Sequence, residues 1–218
     1  MKKGEKQKQE KALKRRTESS LQRQIQRIIV KPLPFFSVRQ ARNYPIDGCW
    51  IRRDWKESGI TVIVVARRQP NGNIIFGSYL VDYYCLGLKD TFYKADVAPG
   101  EFKRSFLSPI FQGKQSLAIS PALAHEIIYG AIEFAARFGF KPQRDFQDSQ
   151  YILDPVDVHP RSGQVEFGKN GQPLFINGPY DNVDKILRQL KRTPGDGNFK
   201  FIAMLGSPDD DFFTADDE

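Results

Sequence analysis

The 218-residue sequence predicts an α+β protein whose sheet is mixed or mainly antiparallel. Two Asn-Gly dipeptides, at 71–72 and 170–171, are each flanked by apolar runs, which is typical of hairpins because Asn-Gly tolerates the positive φ of a tight turn. A long helical pattern begins at Ser120. The resulting order of helix, hairpin, helices, hairpin, helix and strand lacks the alternation of a parallel βαβ sheet.

The first hairpin is the clearest element. Residues 60–66 form a β-branched run, and residues 73–85 form the returning strand. Both faces of these strands are apolar, which predicts a sheet covered on both sides. Residues 86–94 are expected to form a turn or a short helix. A mixed sheet of the ribonuclease-H type is the alternative, and it requires a further strand at 48–52.

The second half of the sequence predicts the packing helix and the remaining sheet. Ser120 is the expected N-cap, and the apolar stripe of this long central helix continues to about residue 138. A short helix is expected at 145–153. The second hairpin joins 165–168 to 173–177. Asp181 is expected to cap a helix that ends near Arg192, and the last strand is expected at 199–205.

The two ends of the chain carry opposite charge. Residues 1–32 hold seven lysines and four arginines against three glutamates, a net charge of +8, and residues 207–218 have a net charge of −6. We expect a basic arm at 1–32, partly disordered, with an amphipathic helix at 17–30. Residues 33–206 are expected to form one globular domain, and residues 207–218 an acidic disordered tail.

Several classes of protein are disfavoured. No run approaches the roughly 18 apolar residues of a membrane span, and no apolar segment follows the basic start as in a secretory signal. Two separated cysteines and two separated histidines argue against a zinc site, and reduced, buried thiols in a cytoplasmic protein are expected. The nucleophile elbow, the phosphate loop and the dinucleotide fingerprint are absent, and no cofactor is predicted.

The charge layout favours association with nucleic acid, and with RNA more than DNA. Lysine and arginine attract phosphate backbones because binding releases condensed counterions. The segment CWIRRDW adds Trp50 and Trp55, which could stack on bases or instead anchor the core. The expected phosphate contacts are Lys2, Lys3, Lys6, Lys8, Lys11, Lys14, Arg15, Arg16, Arg23, Arg27, Arg52 and Arg53.

Two other functions stay open. Asp82, in an apolar strand, could join Asp90, His125 and Glu126 in a metal-dependent nuclease or other hydrolase, with Mg²⁺ as the ion. The simpler interpretation of Asp82 is a salt bridge to Arg67 or Arg68 across the hairpin, or exposure at the end of the strand. A protein–protein adaptor is the third hypothesis, in which the helix at 17–30 or the tail at 207–218 binds the partner.

Overall fold

A computed structural model describes residues 38–111, 115–178, 180–193, 195 and 197–203. The basic arm, the amphipathic helix predicted at 17–30 and the acidic tail lie outside these residues. None of the helices in the described ranges combines the length and the apolar composition of a membrane span.

The described residues form seven strands and several helical segments. The strands are β1 Ile46–Arg52, β2 Ile60–Arg68, β3 Ile74–Asp82, β4 Gly87–Val97, β5 Ser116–Ile119, β6 Leu174–Ile176 and β7 Lys200–Ile202. The α-helices are α1 Trp55–Ser58, α2 Pro99–Glu101, α3 Ser108–Ile110, α4 Pro121–Ala136, α5 Phe146–Ser149 and α6 Val183–Arg192. A π-helix at Phe102–Leu107 joins α2 to α3, and 3₁₀ turns lie at Val38–Asn43 and Gln150–Ile152.

Five strands form one sheet in the order β4-β3-β2-β1-β5, and each neighbouring pair is antiparallel. The α+β class is therefore confirmed. A strand does cover residues 48–52, but it pairs antiparallel on both sides, so this sheet is not mixed. A separate two-stranded sheet pairs β6 with β7 in parallel.

Helix α4 covers one face of the five-stranded sheet. Ser120 caps it, with its side chain accepting a hydrogen bond from the Leu123 amide at 3.2 Å. Successive strand residues point to opposite faces, and one set, including Ile63 and Tyr79, packs against Ile127 and its neighbours on α4. This packing forms the larger core of the protein.

The opposite face is covered by residues 99–110, which run through α2, the π-helix and α3. Phe102 of this segment packs on Phe76 of β3, with ring centroids 5.0 Å apart. Pro109 has no amide hydrogen and would clash with the fourth preceding carbonyl of a regular helix. The π-helix widens the backbone just before it, where the Ser108 amide bonds to the carbonyl of Lys103.

Three sequence predictions differ from the structure in whole or in part. The turn lies at residues 83–86, inside the strand predicted at 73–85, and residues 87–94 are neither a turn nor a helix, because Gly87 opens the edge strand β4, which pairs along β3. Of the second hairpin, the turn forms, with Lys169 and Gln172 paired antiparallel across Asn170 and Gly171, but residues 165–168 are not a strand and β6 pairs with β7. The cap of α6 is Asn182 rather than Asp181, since Asn182 Oδ1 accepts from the Lys185 amide at 3.0 Å.

Candidate functional site

The four candidate catalytic residues are held by separate structural contacts. Asp82 lies at the end of β3 and is 6 % exposed. Its Oδ1 accepts hydrogen bonds from the amides of Tyr84 at 3.0 Å and Cys85 at 2.9 Å, so it shapes the turn into β4. Burial raises the pKa of Asp82 to about 6, against the lowering effect of these amides.

Asp90 is exposed on β4, and its Oδ1 accepts from the Thr91 amide at 2.9 Å. Asp90 and Asp82 are not paired across the two strands. The register partner of Asp90 on β3 is Leu80, and Asp82 pairs with Gly87. The expected salt bridge from Asp82 to Arg67 or Arg68 is not formed, because these arginines pair with Asp154 and Asp47.

His125 and Glu126 are buried in the first half of α4. The Nε2 atom of His125 lies 2.9 Å from the Pro155 carbonyl oxygen, and burial lowers the pKa of His125. Glu126 accepts hydrogen bonds from the Ser162 amide and hydroxyl and from the Gly163 amide. Burial raises the pKa of Glu126, but these bonds outweigh it and leave that pKa below its ordinary value.

These residues do not assemble a metal site. In the parts of the chain that the structure describes, no group of three or more His, Cys, Asp and Glu side chains could hold a metal ion. Asp82 and Glu126 direct carboxylate oxygens at backbone amides of their own surroundings. The geometry gives the hydrolase hypothesis, and its Mg²⁺, no support.

The predicted phosphate contacts divide into two groups. The ten on the basic arm lie outside the described residues. Arg52 donates two hydrogen bonds to the carboxylate of Asp54, while Arg53 is exposed. Trp55 is 7 % exposed and packs edge-on against Tyr83, and Trp50 packs on Phe102. The two indoles therefore anchor the core.

A basic concavity of about 480 Å³ lies between the start of β4, residues 139–143 and the N-terminal half of α6. We call it the basic cleft. The described residues of its lining combine apolar side chains with lysines and a single acid: Leu86, Leu88, Lys89, Gly139, Phe140, Lys141, Gln143, Asp181, Lys185, Ile186 and Gln189.

Local chain geometry builds the walls of the basic cleft. Gly139, at φ +81°, turns the chain after α4. Gln189 Nε2 donates to the Phe138 carbonyl at 2.8 Å and so fixes α6 to the end of α4. The Gln143 amide donates to the Leu88 carbonyl at 3.1 Å, which fixes residues 139–143 to β4.

The charges of the basic cleft do not cancel. Lys89 Nζ lies 2.7 Å from the Asp181 carboxylate, so these two charges neutralise each other. Lys141 and Lys185 are exposed, and among the described side chains no carboxylate is within ion-pair distance of either. Among the described residues the cleft therefore carries two positive charges without a paired carboxylate, and Lys185 lies in the first turn of α6, at the positive end of the helix dipole.

The basic character continues along α6. Val183, Ile186, Leu187 and Leu190 turn its apolar side towards the core formed with Cys85 and Phe175. Its outer side exposes four basic side chains and one acidic one: Lys185, Arg188, Lys191, Arg192 and Asp184. The sequence predicted this helix, but its basic face was not recognised. The spacing of lysine and arginine by three and four residues on an amphipathic helix was the available signal.

A smaller cleft of about 200 Å³ lies between Trp55, Tyr83, Tyr84 and residues 164–169. Among the described residues two lysines line it, and both already contact aromatic rings. Lys169 Nζ lies 4.5 Å from the Tyr84 ring centroid and 3.7 Å from Glu166 Oε2, and Lys56 Nζ lies 5.5 Å from the Trp55 ring centroid. An incoming anion would therefore find less available positive charge in this cleft than in the basic cleft.

Comparison of the chain with protein-family models, with curated proteins and with solved structures found no match.

Proposed function

We propose that this protein binds nucleic acid, more specifically RNA, as an accessory binding protein of the cytoplasm. The basic cleft and the exposed side of α6 contact phosphates, and the basic arm at 1–32 adds further contacts. One observation supports the proposal most directly. Lys141 and Lys185 are exposed in the cleft without a paired carboxylate among the described residues, and Lys185 also belongs to the basic face of α6.

Release of counterions favours binding of lysine and arginine side chains to a phosphate backbone. A phosphate backbone holds condensed cations, and each lysine or arginine that replaces one of them releases it to solution. A side chain already paired with a carboxylate gains less from this exchange, because it must first lose its partner. Lys141 and Lys185 have no such partner among the described residues. Arg52, by contrast, is committed to Asp54.

The basic arm strengthens the proposal through charge alone. Its net charge of +8 acts over roughly a Debye length, about 8 Å at physiological salt, and needs no fixed geometry. The folded body then supplies contacts with a defined shape. We expect the arm to raise affinity for any polyanion and the basic cleft to distinguish between polyanions.

The test is the salt dependence of binding by the full chain. Fluorescence anisotropy with a single-stranded RNA of roughly twelve nucleotides, within the usual site sizes, measures the slope of log affinity against log salt. The variant K141Q/K185Q is compared with K103Q/R104Q, which removes two exposed charges from the segment on the opposite face of the sheet.

The cleft variant is expected to flatten the slope by about 1.4, since each lost contact on a single strand contributes about 0.7. The control variant is expected to change it by less than half of that. Equal slopes in the two variants would contradict the assignment of binding to the basic cleft.

A further inference from the structure

The basic cleft has two chemically distinct parts, and together they specify a ligand. One part is apolar, formed by Leu86, Leu88, Phe140 and Ile186. The other is cationic, formed by Lys141 and Lys185. A ligand that satisfies both carries an anionic group attached to an apolar body. A bare phosphate or an extended acidic chain would leave the apolar part in contact with water.

An exposed aromatic residue that is next in sequence to the cleft lining adds a third element. Tyr180 is 99 % exposed and immediately precedes Asp181, which lines the cleft. Other exposed large apolar side chains of the described residues are far less accessible, with Val156 next at 54 %. A solvated ring next to a cationic cleft is the arrangement on which proteins stack single-stranded bases.

From these three features we propose that the basic cleft holds one unpaired nucleotide, so that the protein prefers single-stranded to double-stranded nucleic acid. Lys141 and Lys185 contact its phosphate, the apolar wall contacts its sugar and base, and Tyr180 stacks on that base or the next one. This inference rests on the proposed function and adds the form of nucleic acid that the cleft selects.

Size and access are consistent with this ligand. A volume of about 480 Å³ lies in the range of small-molecule sites, roughly 300–1,000 Å³. A base within a duplex is stacked and paired, and extruding it costs a few kcal/mol that a single strand does not require. The cleft therefore discriminates by the accessibility of the base rather than by its sequence.

Tyr180 provides the sharpest test because its side chain has no packing to lose. Binding of roughly twelve nucleotides of oligouridylate is compared with binding of an RNA duplex of the same length, for wild type, Y180A and Y180F. Y180A is expected to weaken single-strand binding at least about fivefold, the lower end of the stacking range, and to leave duplex binding within about twofold. Y180F keeps the ring and is expected to bind as wild type does.

The cleft lysines are tested in the same assay. K141Q/K185Q is expected to lower the ratio of single-strand to duplex affinity, whereas K103Q/R104Q lowers both affinities equally. If Y180A weakens both RNAs by the same factor, or neither, the single-nucleotide assignment is overturned while the proposed function stands. If wild type binds neither RNA, the proposed function itself has failed.

A different occupant gives a different result. A peptide with the sequence of residues 207–218, SPDDDFFTADDE, also combines acids with aromatic rings. Binding of that synthetic peptide that is lost in K141Q/K185Q, with single-strand affinity unchanged in the same variant, would overturn the nucleotide assignment in favour of an acidic peptide.

Discussion

Lys89 and Asp181 form an ion pair in the wall of the basic cleft, with Nζ 2.7 Å from the carboxylate. Their side chains are 16 % and 10 % exposed, and they join the start of β4 to the chain before α6. Asp181 also accepts a hydrogen bond from the Gly178 amide at 2.8 Å. The pair therefore holds together two of the three segments that form the cleft.

Breaking this pair is expected to destabilise the fold. Lys89→Met leaves the Asp181 charge largely buried without its cation, which costs about 3 kcal/mol in the free energy of unfolding. Urea denaturation measures this loss. The matched control is Asp47→Asn, which breaks the more exposed pair with Arg68 and is expected to cost less than about 1 kcal/mol. Equal losses in the two variants would mean that burial of the Lys89–Asp181 pair has no energetic consequence.

Asp82 is expected to make stability fall as pH rises through the mildly acidic range. Its pKa in the fold, about 6, lies above the ordinary 3.8, so the folded state binds the proton more tightly. The stability linked to this proton is fully present below about pH 4 and is lost as pH rises through 6. At 1.36 kcal/mol per unit the loss is up to about 3 kcal/mol.

Asp82→Asn isolates this effect. Asparagine keeps an oxygen for the Tyr84 and Cys85 amides but has no proton to titrate in this range. The unfolding free energy is measured from pH 4 to 7 for both proteins. As pH rises, wild type is expected to lose stability steadily relative to the variant. A difference that stays constant with pH contradicts the assignment.

Arg67 is expected to contribute far more stability than its neighbour in sequence. It is 3 % exposed, and its guanidinium donates to the carbonyls of Tyr44 at 2.7 Å and Ile152 at 2.6 Å while pairing with Asp154. Arg67→Met leaves these groups unsatisfied and is expected to cost about 3 kcal/mol or more. Arg67→Lys is not expected to restore them, because an ammonium cannot reproduce the planar fork.

Arg68→Met is the control for Arg67. Arg68 is 40 % exposed and pairs with Asp47 at the surface, so the variant is expected to lose less than about 1 kcal/mol. Thermal and urea unfolding measure both. If the two arginine variants lose similar stability, the proposed role of the buried guanidinium is wrong.

Gly139 is expected to tolerate alanine less well than Gly72 does. Both glycines adopt positive φ, +81° and +84°, so an alanine causes the same backbone strain, about 1 kcal/mol, at either position. At Gly139 a Cβ would lie 2.3 Å from Gln189 Nε2, whereas at Gly72 nothing lies within 4 Å. G139A should therefore lose more stability than G72A and also weaken RNA binding. Equal effects would show that the contact between Gln189 and residue 138 does not shape the cleft.

The elements predicted correctly are those whose signals are local. Strands β2 and β3 and helix α4 are each specified by their own residues, as the capping of α4 by Ser120 illustrates. Strand β4 was missed because it is an edge strand. Phe92, Tyr93 and Lys94 are all exposed, so the alternation of buried and exposed residues is interrupted there.

The remaining errors have long-range causes. The Gly168 and Leu174 amides donate to the carbonyls of Tyr83 and Tyr84, so the second hairpin does not extend beyond the bridge between Lys169 and Gln172. Asp181 does not cap α6 because it pairs with Lys89, far away in sequence. Such partners cannot be identified from a local pattern.

The candidate site was missed for the same reason. The basic cleft draws lysines from β4, from the residues after α4 and from α6, and none of these stands out in its own segment. The catalytic candidates were chosen as polar residues in apolar surroundings. Asp82 and Glu126 prove to be satisfied by nearby amides, which a sequence cannot reveal.

Photocrosslinking is the most direct test of where nucleic acid binds. A single-stranded RNA with photoreactive uridines is crosslinked to the full chain, and the modified peptides are mapped by mass spectrometry. We expect crosslinks in residues 86–89, 139–143 and 180–192, in addition to any on the basic arm. Crosslinks confined to the arm, or found instead on the covering segment at 99–110, would contradict the assignment of the basic cleft as the binding site.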